Sequence, residues 1–321
     1  MRWLHHYTQL IAVTSLILIT AGGLVTSTES GLAVPDWPNT YGYFMFSFPI
    51  SKMVGGIFYE HGHRLIASVV GMLTIGLAFW NSRTDSRWWV RRLGWLALAM
   101  VIAQGILGGL TVLYFLPPLI SISHAGLAQL FFTLIVSLAV FTSPGWQSRY
   151  KHQQPLNDRI LERLVLLTPI LVYVQILIGA TMRHTGAGLA IPDFPLAFGH
   201  IIPPIWNSGI VTHFTHRVGA LLVTAVIFAT AGHVLYHHRS RRELTRPAIL
   251  LSVLVCLQVG LGAWAVLSEK QVVVNTAHVA VGATVLVTTL VLSLRVHRSW
   301  FTDGDGQKYR ANANIDSKAP I

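Results

Sequence analysis

The chain has 321 residues, of which 53% are hydrophobic and 11% charged, and its mean hydropathy is +0.56. Soluble domains carry about 25% charged residues, so this composition excludes an ordinary soluble globule and indicates an integral membrane protein. The net charge of +11 does not indicate a nucleic-acid-binding protein, because in a membrane protein excess Lys and Arg mark the cytoplasmic loops. The single cysteine, Cys256, excludes an intramolecular disulfide and is expected to be a small buried hydrophobe.

Seven uncharged segments are each long enough for a helix to cross a bilayer core, which takes about 20 apolar residues. Pro117-Pro118 divides the third segment into two helices. The sequence therefore predicts an all-α integral membrane protein with eight transmembrane helices. The segments are, in chain order, Leu4–Thr28, Leu65–Ser82, Leu93–Ser148, Leu164–Met182, Val218–His238, Pro247–Ser268 and Gln271–Leu294.

The basic residues predict the orientation of these helices. Of the 23 Lys and Arg residues, 18 lie on one side, in the loops between helices 2–3, 4–5 and 6–7 and at the two ends of the chain. The positive-inside rule then predicts that both termini are cytoplasmic. The polar tail 299–321 is expected to be disordered.

The sequence contains an internal duplication. GLAVPDWP at 31–38 recurs as GLAIPDFP at 188–195, and three further features recur at a spacing of 153 or 154 residues. Each half contains four predicted helices, so both halves have the same orientation. We expect two four-helix bundles, 1–148 and 149–298, related by a pseudo-twofold axis along the membrane normal. The other recurring features are His63-Arg64 with His216-Arg217, Gln104-x-x-x-Gly108 with Gln258-x-x-x-Gly262, and His124 with His278.

Four of the 15 histidines stand out, because each lies in the outer third of an even-numbered helix. Ionisable groups inside a membrane are costly and usually functional. They are His63, His124, His216 and His278. Seven other histidines lie near the basic ends and have an ordinary interfacial interpretation: His5, His6, His152, His233, His237, His238 and His297.

Two facing imidazoles in each bundle suit a haem iron, because the porphyrin supplies the other four ligands. Zinc would need additional Cys or carboxylate ligands, which are scarce here. Glycines in helices 3 and 7 would let a flat macrocycle approach the backbone; they are Gly105, Gly108, Gly109, Gly260 and Gly262. Arg64 and Arg217 each follow a candidate ligand, where they could pair with haem propionates or act as headgroup anchors.

The two halves differ in one residue with chemical consequences. Glu60 lies three residues before His63, whereas His213 lies three residues before His216. Positions i and i+3 share a helix face, which places Glu60 toward the His63 pocket as a proton acceptor or an electrostatic stabiliser. The alternative is that Glu60 is only a loop-edge partner of Arg64. The N-terminal pocket is thus predicted to be reactive and the C-terminal pocket to be an electron-transfer site.

Together, Glu60-x-x-His63-Arg64, His124, His216-Arg217, His278 and the doubled Pro-Asp-aromatic-Pro loops resemble the haem A synthase family over residues 5–297. The resemblance implies a bacterial plasma (inner) membrane enzyme that oxidises a methyl group of haem O to a formyl group, giving haem A. The family oxidation proceeds by successive hydroxylations and loss of water. The resemblance makes His63 and His124 the ligands of the substrate haem, assisted by Glu60, and His216 and His278 the ligands of a permanent haem b.

The partners implied are an electron donor (a quinol or a small redox protein), haem O synthase, oxidase assembly factors and the lipid bilayer, with a homo-oligomer also open. Some bacterial members carry cysteine pairs in the outer loops, and this chain has none there. Electrons must therefore enter without a loop dithiol. Two other classes stay open: a non-enzymatic dihaem cytochrome that takes electrons from quinol, and a haem carrier or assembly factor.

Overall fold

Nine α-helices account for most of residues 2–148 and 156–301, which a computed structural model describes. Eight of them are long and apolar enough to cross a membrane, which confirms the predicted fold class. The tail 302–321 lies outside the described residues. The helices are α1 (Arg2–Ser27), α2 (Gly56–Thr84), α3 (Trp88–Leu113), α4 (Pro118–Thr142), the short α5 (Pro144–Ser148), α6 (Arg159–His184), α7 (Ser208–His237), α8 (Arg242–Leu267) and α9 (Val272–Val296).

Two helices begin well before the sequence analysis placed them. Helix α2 starts at Gly56 and α7 at Ser208, nine and ten residues ahead of the uncharged segments, whereas the sequence predicts a start only about one turn ahead for α2. The predictions stopped at Arg64 and Arg217 because a charge is costly in a membrane. In the structure both guanidinium groups are hydrogen-bonded to backbone carbonyls of a loop that folds over the helix end, so the helix continues past them.

The helices pack in two groups of four. In the first, α1 contacts α2, α2 contacts α3, α3 contacts α4, and α4 returns to α1; α6, α7, α8 and α9 repeat this cycle. The groups meet where α1 packs on α9, α4 on α6, and α4 on α9. Since α1 corresponds to α6 and α4 to α9, the α1–α9 and α4–α6 contacts are equivalent to each other, as a twofold relation between the halves requires. The axis itself stays a prediction.

Separate apolar cores stabilise the two groups. One buried cluster, which includes Leu4, Leu77 and Ile135, belongs to the first four helices. Another, which includes Leu161, Ile227 and Leu251, belongs to the second four. A smaller cluster of Phe132, Ala283 and Val287 lies where the groups meet. Lipid covers the outer surfaces of a membrane bundle, and many large apolar side chains are accordingly exposed.

Two long connections, 28–55 and 185–207, lie at the same end of the molecule, which we call the loop end. The start of α1, the end of α9 and the short connections after α2 and α7 lie at the opposite end, the terminal end. One expectation from the sequence is wrong: Cys256 is exposed on α8 and not buried. Its apolar neighbours in sequence reflect a helix surface that faces lipid as well as a protein core.

Candidate functional site

The four candidate histidines lie at similar depths below the loop end. His63 is on α2, His124 on α4, His216 on α7 and His278 on α9. They follow the first residues of these helices by seven, six, eight and six residues. At 1.5 Å per residue, all four therefore lie about 9–12 Å into their helices.

Each of these imidazoles packs against a glycine of the preceding helix. A Cβ at Gly22 would lie 3.1 Å from Cε1 of His63, and one at Gly179 would lie 2.9 Å from Cε1 of His216. The same contact measures 3.2 Å between Gly108 and His124, and 3.1 Å between Gly262 and His278. Real Cβ atoms rarely approach so closely, so an alanine at any of the four positions would push the ring. The structure thus gives each histidine an equivalent, sterically exacting position.

The spacing of the two C-terminal histidines suits two ligands of one metal ion. The ring centroids of His216 and His278 are 6.5 Å apart, with an angle of 66° between the ring planes. Two imidazoles that bind one metal from opposite sides, with metal–nitrogen bonds of about 2 Å, have centroids about 6.4 Å apart. His63 and His124 occupy the equivalent helices of the first group, α2 and α4.

Several imidazole nitrogens have no hydrogen-bond partner among the described residues. The Nδ1 atoms of His63, His124 and His278 are buried and unpartnered. In contrast, the Nδ1 of His216 contacts the Gln175 amide at 3.0 Å, and that amide also donates to the His216 carbonyl at 2.7 Å. Buried polar groups are normally hydrogen-bonded, so the unpartnered nitrogens of His63 and His124 fit groups that bind an added ligand. The Nε2 atom of His278, in contrast, contacts the Gln258 amide at 3.2 Å, and a metal would have to replace this contact to bind there.

Around the N-terminal pair, Glu60 and Arg64 hold the loop to the helix. Glu60 is only 3% exposed; one oxygen accepts from Arg64 at 2.6 Å and the other from the Val34 amide at 2.7 Å. Arg64 also donates to the carbonyls of Val34, Asp36 and Asn39. Both carboxylate oxygens of Glu60 are therefore engaged by Arg64 and the loop. This arrangement matches the alternative interpretation from the sequence, in which Glu60 is a loop-edge partner of Arg64.

The C-terminal half repeats this arrangement without the carboxylate. Arg217 donates to the carbonyls of Ile191, Asp193 and Leu196, the positions equivalent to those that Arg64 contacts. His213 Nδ1 accepts from the Ile191 amide at 3.3 Å, in the place of Glu60. The loop contacts are thus preserved while the local charge changes. The Nε of Arg217 is buried and unpartnered.

Each loop is closed by a tight turn at its aromatic segment. Asp36 accepts from the amides of Tyr41 and Gly42, and Asp193 accepts from those of Phe198 and Gly199, all at 2.8 Å. The two central residues of each turn have positive φ, which a glycine adopts readily at the second position. Desolvation works to raise the pKa of Asp36, but these amide donors and the Arg64 guanidinium outweigh it and hold the pKa below its usual range.

The sequence analysis missed three contributors to the site. Gly22 and Gly179 recur at a spacing of 157 residues, the same as the loop motifs, and this repeat could have revealed them. Gln175 has no counterpart signal in the first half. Of the glycines that were proposed, Gly108 and Gly262 contact the ligands, Gly109 packs against the Trp37 ring, and Gly105 and Gly260 face open space.

The chain is similar to known proteins over most of its length. Residues 5–291 match the family model COX15-CtaA, described as cytochrome oxidase assembly protein. A "Heme A synthase" of Shouchella clausii is 31% identical over 79% of this chain and 83% of its own length. A "Heme A synthase" of Symbiobacterium thermophilum is 28% identical over 84% of this chain and 88% of its own length.

Proposed function

Because the chain belongs to the COX15-CtaA family of cytochrome oxidase assembly proteins, we propose that it is a haem A synthase, an oxidoreductase that converts haem O to haem A. The observation that carries this proposal is the pair of histidine sites at one depth, which differ by a single buried carboxylate, Glu60. The overall change is oxidation of a porphyrin methyl group to a formyl group, by successive hydroxylations and loss of water.

The C-terminal half is proposed to hold a permanent haem b. His216 and His278 would be its axial ligands, and bound haem b would supply electrons one at a time. The Gln175 amide donates to the His216 carbonyl at 2.7 Å and lies 3.0 Å from Nδ1 of the ring, so it ties this part of α7 to α6. Among the described residues Arg217 forms no ion pair like that of Arg64 with Glu60, although the Asp193 carboxylate lies near enough to act on it, so its guanidinium is more available to attract an anionic propionate.

The N-terminal half is proposed to bind the substrate haem O through His63 and His124. Here the Arg64 guanidinium is already paired with Glu60 at 2.6 Å and donates to three loop carbonyls. It has less charge to offer a propionate than Arg217 has. Weaker anchoring suits a substrate that must leave after the reaction, whereas stronger anchoring suits a resident cofactor.

Glu60 is proposed to assist the oxidation through its negative charge. It lies one helical turn from His63, and its own helix and the loop exclude water from it. A buried carboxylate can stabilise positive charge that develops on the substrate. It can also accept a proton if the hydrogen bond from the Val34 amide breaks. Either role requires the ionised group and not only its shape.

The loop end would face outward, and both termini would lie in the cytoplasm, because most basic residues lie at the terminal end. The electron donor would be a quinol or a small redox protein, since the outer loops contain no cysteine. Haem O synthase and oxidase assembly factors are the expected neighbours in the membrane.

Haem extraction tests this function. The chain is co-expressed with a haem O source, and the mass of the extracted haem is measured. We expect a haem of formyl mass together with a retained haem b. Unchanged haem O in a folded, haem-loaded protein would overturn the enzyme. Steady quinol oxidation without modified haem would favour the dihaem cytochrome, and exchangeable haem in both halves would favour the carrier.

A substitution at Glu60 tests its role. Glu60→Gln keeps an oxygen that can accept from the Val34 amide but removes the charge. We expect formyl haem production to fall by about 10²-fold or more, because one general base or electrostatic group typically contributes this much. Haem b spectra should be unchanged. The matched control is Glu29→Gln, which removes an exposed carboxylate at the loop end. If Glu60→Gln loses haem b together with activity, Glu60 is structural.

A further inference from the structure

Three side chains at the terminal end converge on one point far from the haem sites. Asp158 lies just before α6, His233 lies in the last turns of α7, and His238 follows that helix. The Oδ2 atom of Asp158 is 2.8 Å from Nε2 of both histidines. All three ligand atoms lie within 4.8 Å of one another.

The two oxygens of Asp158 have different tasks. Oδ1 accepts from the Leu161 amide at 3.0 Å and caps the first turn of α6. Among the described residues, Oδ2 is hydrogen-bonded only to the two imidazoles. The helix cap therefore accounts for one oxygen, and the cluster around the other is an additional feature.

We propose that Asp158, His233 and His238 form a binding site for a divalent cation of the zinc class. Two imidazoles and one carboxylate are a common ligand set for zinc, with a fourth position left for water or a further side chain. The His237 ring is a candidate for that position, because its centroid lies 4.5 Å from that of His233. This site is independent of the proposed haem chemistry.

The geometry is close to what such an ion needs. Zinc bonds of 2.0–2.1 Å in a tetrahedron place neighbouring ligand atoms about 3.4 Å apart. Opening the two contacts from 2.8 Å therefore takes roughly half an ångström of side-chain rotation. The side chains are 14–19% exposed, so they lie at a surface where this rotation and the entry of an ion are both feasible. The ion would replace the two hydrogen bonds, while each neutral imidazole moves its proton to Nδ1.

Several charges oppose a cation here. Arg159 and Arg239 lie next to the ligands in sequence, and the N-terminus of α6 carries a partial positive charge. The Asp158 carboxylate and the three imidazoles must outweigh them. A bound ion would join the start of α6 to the end of α7. These two helices also carry Gly179 and His216, so the ion would fix the far ends of the pair that frames the C-terminal histidines.

Zinc binding by the full-length, haem-loaded protein tests the proposal. The protein is purified without a polyhistidine tag, stripped with a chelator, and titrated with Zn²⁺ against a fluorescent competitor. We expect one saturable zinc per chain in the unmodified protein and in His200→Ala, which removes an exposed imidazole at the loop end. Asp158→Asn and His238→Ala should each weaken binding by at least about tenfold.

The variants separate ligation from folding. Asn is as good a helix cap as Asp, so Asp158→Asn should keep α6 and the haem spectrum while losing the anionic ligand. The proposal is overturned if the unmodified protein takes up no saturable zinc. It is equally overturned if Asp158→Asn and His238→Ala bind zinc as tightly as His200→Ala does.

Discussion

At the scale of single residues, the four glycines that face the histidines determine whether a ring can take its position. Each lies in a helix, where glycine costs up to about 1 kcal/mol relative to alanine. A Cβ at any of them would lie within 3.2 Å of an imidazole carbon. At these positions helix propensity favours alanine, whereas the space that the imidazole needs requires glycine, and the chain has glycine at all four.

Gly179→Ala provides a direct test. The new Cβ would lie 2.9 Å from His216 Cε1, so the ring must move and we expect haem b occupancy to fall several-fold. The ratio of haem to protein, measured after purification, reports this loss. The matched control is Gly232→Ala on α7, where a Cβ meets nothing within 4 Å. Equal haem content in the two variants would contradict the steric argument.

The Asp36 turn makes a pH-dependent contribution. Because the pKa of Asp36 is lowered in the folded state, this contribution is complete above the unfolded pKa of about 3.9 and is lost as the pH falls through the folded pKa. We expect hydrogen-exchange protection of the Tyr41 and Gly42 amides to disappear in that acid range. Asp36→Ala, which has no acceptor, should show low protection at every pH. Protection that persists in Asp36→Ala would assign the turn to other contacts.

The position of Glu60 shows where residue-level prediction ends. The i, i+3 spacing correctly puts it one turn from His63, but the i, i+4 spacing also puts it beside Arg64, and the 2.6 Å ion pair realises the second relation. Sequence spacing cannot choose between these neighbours. The choice depends on where the loop places the Val34 amide, and that is a tertiary contact across 26 residues.

At the scale of helices, Arg183 connects the two halves. It lies near the end of α6 and donates to the Gly23 carbonyl at 2.6 Å and to the Ser27 hydroxyl at 2.7 Å, both on α1. Asn275 and Thr276 of α9 donate to the same hydroxyl. Three helices from both halves thus meet at one polar point within an otherwise apolar contact.

Arg183→Met should weaken this junction. Methionine has a similar length but removes the charged donor of the Gly23 carbonyl and the Ser27 hydroxyl, and hydrogen bonds to charged groups contribute about 1.5–3 kcal/mol each. We expect a lower thermal unfolding midpoint in detergent, with Arg91→Ala, which removes an exposed arginine of α3, as the control. An unchanged midpoint in Arg183→Met would mean that apolar packing alone holds the halves together.

Helix existence was predictable from composition, but helix starts were not. Uncharged runs identified all eight spans, because lipid tolerates few charges along a helix. The same runs started the predicted α2 and α7 too late in the chain, because Arg64 and Arg217 are satisfied by loop carbonyls that sequence cannot place. Errors of this kind are expected wherever a loop folds back over a helix end.

At the scale of the whole molecule, the distribution of basic residues predicts which end is cytoplasmic. Replacing the single cysteine with serine and adding one cysteine at Phe46 or Arg239 gives two exposed probes at opposite ends. We expect an impermeant maleimide added to intact cells to label Phe46→Cys and to leave Arg239→Cys unlabelled until the membrane is opened. The reverse pattern would invert the orientation.

The duplication was visible in the sequence through four repeated features, and the helix contacts repeat in the same way. The difference in charge at the pocket mouths was visible in the sequence too, as Glu60 against His213. The partners of these side chains were not: Glu60 binds Arg64 and the Val34 amide, whereas His213 accepts from the Ile191 amide. These partners become clear only when the hydrogen bonds of the two loops are compared.

The side chains at positions 60 and 213 each accept a hydrogen bond from a loop amide, and this bears on how two such halves can diverge. Val34 donates to a carboxylate and Ile191 donates to an imidazole, yet both loops close in the same way. An ancestral duplicate could therefore exchange one acceptor for the other without first losing its fold. A new reactivity could then arise in one copy while the other copy kept its earlier task.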